Sequence, residues 1–475
     1  MAPRYGDKTL TTAAAGFLTA IAIASASAAD PVTFEEAVAR AQGRHEAIKA
    51  ADQEIRRRDA EREAARGLRY PRVEMELRRY VLDDPVKVGV DPIPFSLEVQ
   101  SDRFWNGQVE VTIPLYTGGR VDAANQAARA RQDEARALLA ATDQALLSEL
   151  AERYFGLSLA RQAREVQALK VQVMERHVAR ARRLLEEGVI ARIEVLNAEV
   201  ALSSARVELR DAEASVTIAH DALLNTIVSD GPVLPATSLF LVRDFESREA
   251  FVAFVNDQHP VMRRLAANED LAKQGVRAEQ GENRPTVYAF GMKELVPNDL
   301  TMLDPDWAVG VGLKYTLFDG FRGRHEVAAA RATAQRVTHL RKQYDRDLKT
   351  LVVKRHEEMT TALGLFDAFE ATLALTRENL RVRTRAFEEG QATSLEVIDA
   401  TLSHSRARLG RSKAAHDFDV ALFRLLEASG RSHAWREYLE RAIPVEDAEI
   451  DADPDGPVNI QPDIGLAIPR ESMAP

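Results

Sequence analysis

The side chains in this sequence that are best suited to do chemistry lie in two turns that contain acidic residues. Gly188 is followed, after five intervening residues, by Glu194, and Gly390 is followed at the same spacing by Glu396. Asp399 comes three residues after Glu396, so the two carboxylates share one face of a helix. Such acids attract cations where they line a pore, or they complement the dipole of a helix N-terminus. Both interpretations stay open for Glu194, whereas Asp399 lies beyond the first turn, where the dipole would matter.

Motifs for enzyme chemistry are absent from the sequence. It contains no G-x-x-x-x-G-K-[ST], H-E-x-x-H or G-x-S-x-G pattern, and therefore no phosphate cradle, zinc pair or nucleophile elbow. His356-Glu357-Glu358 lacks a second histidine and indicates a solvated helix surface. The absence of cysteine excludes disulfides, thiolate metal sites and an acylated N-terminal cysteine. We expect neither enzymatic activity nor a metal or cofactor.

Composition and the N-terminal residues restrict the class of protein. The 475 residues carry a formal net charge of -10 and 6% aromatic residues, which leaves no basic footprint or stacking platform for nucleic acid. Residues 1–28 combine Arg4 and Lys8, an apolar stretch and the ending Ala26-x-Ala28, which predicts a secretory signal peptide. The remaining sequence has no apolar run near 18 residues, so any integral contact with a membrane would need strands.

An internal repeat organises the rest of the chain. Shifting the sequence by 214 residues aligns Pro71 with Pro285, and shifting it by 202 aligns Val109 with Val311. The difference of 12 residues predicts an insertion between Pro71 and Val109, and a period near 200 indicates a duplicated domain rather than a solenoid. The predicted organisation is a first structural repeat over 31–230, a connector over 231–245, a second structural repeat over 246–430, and a C-terminal extension over 431–475 whose acidic tail is disordered from about 444.

Each repeat is predicted to contain two strands and a long helical hairpin. Apolar and polar residues alternate along the predicted strands 71–82, 107–117, 285–294 and 307–318. Such strands, about ten residues long, suit a tilted crossing of a bilayer around a wet lumen, but a half-exposed soluble sheet has the same pattern. Residues 83–103 carry loop signals.

Strong helix formers without proline fill 120–187 and 323–389, each long enough for a rod of about 100 Å. We therefore expect antiparallel coiled-coil hairpins over 120–229 and 321–429. A shorter helix is predicted from Phe34 to Leu68, because Thr33 and Glu36 have capping-box spacing.

Together these motifs resemble the outer-membrane efflux protein family, the TolC-like channels. The resemblance covers roughly 31–430 and rests on the following segments: Thr33-Phe34-Glu35-Glu36-Ala37, Tyr70-Pro71-Arg72-Val73, the stretch 113–120 (IPLYTGGR), and the two glycine turns. It implies a mainly α fold with a membrane β part, in which each chain of a homotrimer gives four strands to a 12-stranded barrel. The long helices would form a tube in the periplasm. The implied function is a passive exit duct for efflux or type I secretion, opened by a periplasmic adaptor and an inner-membrane pump of RND or ABC type.

The resemblance also assigns roles to individual residues. Glu194, Glu396 and Asp399 match positions that line the periplasmic constriction, where three chains would form rings of carboxylates that favour cationic solutes. Gly188 and Gly390 match the tip turns at which the adaptor docks. The junction between barrel and helices is expected at three further glycines: Gly118, Gly119 and Gly320.

One part of the family pattern is missing. Family members hold the tip shut with a Tyr and an Arg, whereas the matched positions here are Phe387 and Ala392. Because these side chains cannot form such bonds, we consider Arg192 as a substitute that pairs with an acid.

A second interpretation is a soluble periplasmic coiled-coil scaffold or adaptor protein with a small water-exposed sheet. Alternating strands in both repeats, and the glycines Gly310 and Gly312 on the polar face, favour the channel instead. The sequence shows none of the lipoyl-type domains expected of an adaptor. We therefore expect outer-membrane lipid, further copies of the chain, an adaptor and a pump as partners, and a location in the cell outer membrane.

Overall fold

The computed structural model describes residues 30–89, 96–229, 231–256, 258–297 and 305–445. The predicted signal peptide, and the acidic tail beyond residue 445, lie outside these described residues. The elements in chain order are β1 (Asp30–Val32), α1 (Phe34–Arg44), α2 (Glu46–Gly67), β2 (Arg72–Val81), β3 (Val86–Gly89), β4 (Ser96–Gln100), β5 (Arg103–Tyr116), α3 (Arg120–Glu186), α4 (Arg192–Ile227), β6 (Val233–Pro235), β7 (Phe240–Leu241), α5 (Arg248–Phe254), α6 (Pro260–Glu282), β8 (Thr286–Glu294), β9 (Trp307–Lys314), α7 (Arg322–Glu388), α8 (Ser394–Ser429), α9 (Trp435–Glu440) and β10 (Ile443–Pro444).

Two helices stand where one was predicted from Phe34 to Leu68. The capping box forms as expected: the Thr33 N–H donates to the Glu36 carboxylate at 2.9 Å, and the Thr33 hydroxyl accepts the Glu36 N–H. At His45 the backbone becomes extended, and the imidazole Nδ1 accepts the Ala47 N–H at 3.2 Å. The prediction of one continuous helix is wrong because His45 caps a new helix, α2.

The four longer strands form one antiparallel sheet in the order β2-β5-β8-β9. One face is apolar and exposed, and it carries Val73, Met75 and Leu77 of β2 and Val309, Val311 and Leu313 of β9. The opposite face of β2 is charged, with Glu74, Glu76 and Arg78.

Strand β8 departs from the predicted alternation, because its second face carries large apolar side chains instead of polar ones. Tyr288 and Phe290 cover the glycines to which they are paired on β9: a Cβ on Gly312 would lie 2.5 Å from the Tyr288 ring, and one on Gly310 would lie 3.0 Å from the Phe290 ring. The glycines therefore leave room for aromatic side chains. The predicted loop over 83–103 also needs correction, since β3 and β4 pair there as an antiparallel hairpin.

Two hairpins of very long helices extend from the sheet. Helices α3 and α7 each contain 67 residues, about 100 Å of helix, and are followed by α4 and α8 of 36 residues each. Helix α3 packs against α4, α6 and α8, and α7 packs against α6 and α8. Among the helices that the structure describes, none combines the length and the apolar character that crossing a bilayer requires.

The main hydrophobic core lies where the shorter elements surround the long helices. The Phe34 ring contacts Tyr154, Phe155, Phe423 and Trp435 at centroid distances of 5.0 to 5.4 Å. Strand β1 pairs with β6, and β7 pairs with β10. The start of the predicted C-terminal extension belongs to this core: Trp435 of α9 is buried, and Val445 is also buried with its N–H bonded to Leu239. The described part of the chain therefore stays packed on this core as far as Val445.

Candidate functional site at the helical tip

Two glycine turns end the long helices and lie against each other at the tip farthest from the sheet. Gly188 and Gly390 have φ values of 76° and 69°, a conformation that suits glycine. The next residue in each turn bonds back across the last helical turn: the Val189 N–H reaches Leu184 at 2.9 Å, and the corresponding bond after Gly390 measures 2.8 Å. A Cβ on Gly390 would lie 3.2 Å from Val189 Cγ1. The two turns therefore meet within one chain.

An apolar cluster beneath the turns joins the two hairpins. We call it the tip core, and it consists of Val178, Ala181, Val195, Ala198, Phe387 and Val397. Phe387, which was predicted at the constriction, is fully buried here, and its ring centroid lies 4.7 Å from that of His177. The structure therefore assigns Phe387 to packing within the chain and not to an exposed pore surface.

His177 of α3 is bonded directly to the other hairpin. Its Nε2 and the Ser394 hydroxyl share a hydrogen bond of 2.6 Å, while its buried Nδ1 has no partner. Burial, assisted by the charge of Arg180, lowers the pKa of His177 to about 4. The imidazole is therefore neutral near pH 7, and a proton on it would be poorly accommodated.

Glu194 crosses the same boundary between hairpins. Its Oε2 accepts the backbone N–H of Ser394 at 2.7 Å, so an acid of the first hairpin satisfies the N-terminus of α8 in the second. Arg180 of α3 forms an ion pair with Glu388 at the end of α7, at 2.6 Å. We refer to these three contacts, made by His177, Glu194 and Arg180 with Ser394 and Glu388, as the tip link.

Glu396 serves its own helix. Its carboxylate accepts the Thr393 N–H at 2.8 Å, and the Thr393 hydroxyl accepts the Glu396 N–H, so the two form a capping box at the start of α8. The Thr393 N–H, helped by the nearby charge of Arg383, lowers the pKa of Glu396. Arg383 also pairs with it at 2.8 Å. Glu396 thus has the capping role that was open for Glu194 in the sequence.

The remaining predicted tip residues lie apart from these contacts. Asp399 is exposed one turn further along α8, and in the described part of the chain it has no ion pair. Arg192 is exposed at the start of α4 and likewise forms no ion pair with any described residue. The pairing considered for Arg192 is therefore not present, and Arg180 with Glu388 supplies the ion pair between hairpins.

The predicted junction glycines lie between the sheet and the long helices. Gly118 and Gly119 have φ values of 65° and 91° before α3, and Gly320 has 70° before α7. A Cβ on Gly118 would lie 2.5 Å from the Gly281 carbonyl oxygen, so the start of α3 approaches the end of α6 too closely for any side chain. Phe321 adopts φ 67° at the position that matches Gly119.

Sequence reasoning missed His177, Ser394, Arg180 and Glu388. A weak signal for His177 was available, because it lies on the same helical stripe as Met174, Val178 and Ala181, which are buried. Its partner Ser394 lies beside the N-cap Thr393, more than 200 residues away in sequence. Local patterns do not indicate that these two positions meet.

The fold of the chain is similar to that of solved outer-membrane proteins. The crystal structure of the outer membrane protein VceC from Vibrio cholerae matches with a TM-score of 0.70 over 84% of this chain and 96% of that one, at 15% sequence identity. The chain belongs to the outer membrane efflux protein family, whose pattern matches residues 37–227 and 255–431. The resemblance inferred from the sequence is thus confirmed.

Two characterised relatives agree with this assignment. Protein CyaE of Bordetella pertussis is 25% identical over 411 residues, which cover 84% of each chain. Outer membrane protein TolC of Vibrio cholerae is 22% identical over 316 residues, or 64% of this chain and 71% of that protein. The protein is therefore an outer-membrane efflux protein.

Proposed function

We propose that three copies of this chain form a passive exit duct through the outer membrane. The observation that carries the proposal is the open four-stranded sheet, in which β2 and β9 each have a single neighbour among the described strands. Unpaired strand edges are costly in lipid, so the sheet must close with strands from other chains. The family resemblance sets the number: three chains with four strands each give a closed 12-stranded barrel.

The helices support assembly side by side into a periplasmic tube. Helix α4 exposes Ile193, Leu196, Val200 and Val207 in one stripe, at steps of three, four and seven residues that are typical of a coiled-coil seam. On α7, Leu375 and Val382 are exposed one heptad apart. These apolar side chains stay exposed among the residues of one chain that the structure describes, so neighbouring copies are the natural partners. The two hairpins per chain, equal in helix lengths, correspond to the two structural repeats.

Energy for transport must come from other proteins, because the sequence offers no nucleotide-binding motif. We infer that a periplasmic adaptor docks at the turns around Gly188 and Gly390, and that an inner-membrane pump of RND or ABC type drives the cargo. In the closed tip, Asp399 is the acid best suited to line the constriction, because Glu194 and Glu396 are engaged in bonds to α8. Three copies of Asp399 would form a ring that attracts cations.

Mass determination and conductance test this function. The purified protein in detergent is expected to have about three times the chain mass and to fractionate with the outer membrane. In planar bilayers, Asp399→Asn should reduce the preference of the channel for cations, while Asp211→Asn, on α4 and remote from the tip core, should leave it unchanged. A soluble periplasmic monomer would support the scaffold interpretation and contradict the duct. An unaltered preference in Asp399→Asn would remove that residue from the constriction.

A further inference from the structure

The apolar face of the four-stranded sheet ends on two pairs of tryptophan and cation. Arg79 on β2 is paired with Trp105 on β5, and Lys293 on β8 is paired with Trp307 on β9. Directly paired residues of antiparallel strands lie on the same face, side by side. The Arg79 guanidinium carbon lies 5.5 Å from the centre of the Trp105 ring. We call these two pairs the boundary pairs.

The boundary pairs lie in line with the apolar side chains on this face of the sheet, which we call the apolar stripe, and they mark its end. Along β2, Arg79 follows Leu77 at the two-residue step that keeps side chains on one face. Along β9, Trp307 precedes Val309 in the same way. On this face of β2 and β9, the positions from the boundary pairs toward the helices are uncharged as far as Val73 and Leu313. Charge therefore appears on the face only where the stripe ends.

Arg79, Lys293 and Trp307 each lie seven positions from the helix end of their strand, while Trp105 lies eleven positions before Tyr116, the end of β5. Arg79 lies seven positions beyond Arg72, where β2 begins, and Trp307 lies seven positions before Lys314, where β9 ends. The pair of Arg79 lies four positions farther along the sheet than that of Lys293, because β2 begins opposite Thr112 while β5, β8 and β9 are nearly level at the helix end. Tilted strands in a barrel require a displacement of this kind between neighbours, which brings the two pairs toward one level around it.

The length of the stripe matches a bilayer. From Trp105 to Leu115, β5 covers about ten residues, the length with which a tilted strand crosses a membrane. From Trp307, exposed apolar residues continue past the end of β9 to Leu317. Tryptophan is enriched at the boundary between acyl chains and headgroups, and long cationic side chains reach outward from that level. Arg79 and Lys293 are exposed, and neither has an ion pair among the residues that the structure describes.

We propose that Arg79 and Lys293 bind anionic lipid headgroups in the leaflet farther from the helices, with Trp105 and Trp307 at the adjoining acyl-chain boundary. An unpaired positive charge beside an indole ring, at the edge of an apolar band, is complementary to the phosphate of such a headgroup. The inference rests on the proposed function, because it requires the apolar face to contact lipid. In a trimer the sites repeat around the barrel and fix its depth in the membrane.

Quenching of tryptophan fluorescence by brominated lipids tests the proposal. The chain has three tryptophans, and the third, Trp435, is buried in the main core. The Trp435→Phe variant therefore reports on the boundary pairs alone; if it fails to fold, the unsubstituted protein serves, with Trp435 as an unquenched background. The channel is reconstituted in mixtures of phosphatidylcholine and phosphatidylglycerol, with bromine near the headgroup end of one lipid or the other. We expect stronger quenching from brominated phosphatidylglycerol.

Charge-neutral variants separate headgroup binding from insertion. Arg79→Gln and Lys293→Gln should each lower the preference for the anionic lipid by about fivefold. The matched control is Arg78→Gln, because Arg78 is adjacent in sequence but lies on the opposite face, paired with Glu76. If quenching persists and both variants keep the full preference for the anionic lipid, headgroup binding is refuted while the proposed exit-duct function is unaffected. If bromine at no depth quenches either tryptophan, the proposed function itself fails.

Discussion

At the scale of single residues, the tip depends on a histidine that stays neutral. His177 bonds to Ser394 across the hairpin boundary, and its second ring nitrogen is buried without an acceptor. A protonated imidazole would need an acceptor there and would meet the positive charge of Arg180. This arrangement makes the contact between the hairpins sensitive to pH.

The pKa of His177 sets the sign and range of that sensitivity. It is about 4 in the folded chain and 6.5 ordinarily, so the unfolded or opened state binds more protons between these values. Stability of the tip is therefore complete above pH 6.5 and falls as the pH is lowered toward 4, by about 3 kcal/mol in total. Hydrogen exchange of the turns 187–191 and 389–393, corrected for intrinsic rates, should increase between pH 7 and 5.

Two substitutions distinguish His177 from its neighbours. His177→Gln keeps a hydrogen-bonding group toward Ser394 but does not titrate, so the change in exchange with pH should flatten. His404→Gln is the control, because His404 on α8 also has a pKa of about 4 but bonds to Thr376, outside the tip link. An unchanged pH response in His177→Gln would refute the role of the imidazole.

At the scale of elements, the helix ends that depend on residues nearby in the sequence were predictable. The capping box of Thr33 and Glu36 and the ends of the long helices at Gly188 and Gly390 follow from local chemistry. The break at His45 was missed because histidine is an uncommon cap. The aromatic face of β8 was missed because the space for Tyr288 comes from Gly312 on another strand, and single-strand periodicity carries no information on such pairs.

The junction glycines give a matched test at this scale. Gly118 and Gly320 have nearly equal positive φ values, so alanine at either position costs about 1 to 2 kcal/mol of backbone strain. At Gly118 the new Cβ would also meet the Gly281 carbonyl oxygen, whereas at Gly320 it would enter open space. Gly118→Ala should therefore lower the free energy of unfolding by about 2 kcal/mol more than Gly320→Ala. Thermal unfolding in detergent measures the difference; equal losses would contradict the close approach of α3 and α6.

At the scale of the whole molecule, the parts that sequence reasoning missed are those that join distant segments. Trp435 of the C-terminal extension packs on Phe34 at the opposite end of the chain, and Ser394 meets His177 across the two repeats. The acids Glu194 and Glu396 were predicted from their spacing, but the groups that bond to them were not. Duplication predicts two hairpins; it does not predict which contacts hold them together.

Under the proposed function, those contacts would hold the tip closed within each chain, and breaking the link between its hairpins would weaken that closure. Arg180→Glu would replace the ion pair with Glu388 by two acids. Such a pair contributes about 1 kcal/mol. The variant should therefore raise the open probability of single channels in planar bilayers by about fivefold. The charge-swapped double variant, Arg180→Glu with Glu388→Arg, should restore closure. Arg182→Glu is the control, because Arg182 pairs with Glu199 inside the first hairpin. If Arg182→Glu opens the channel as much, charge alone and not the link between hairpins governs the tip.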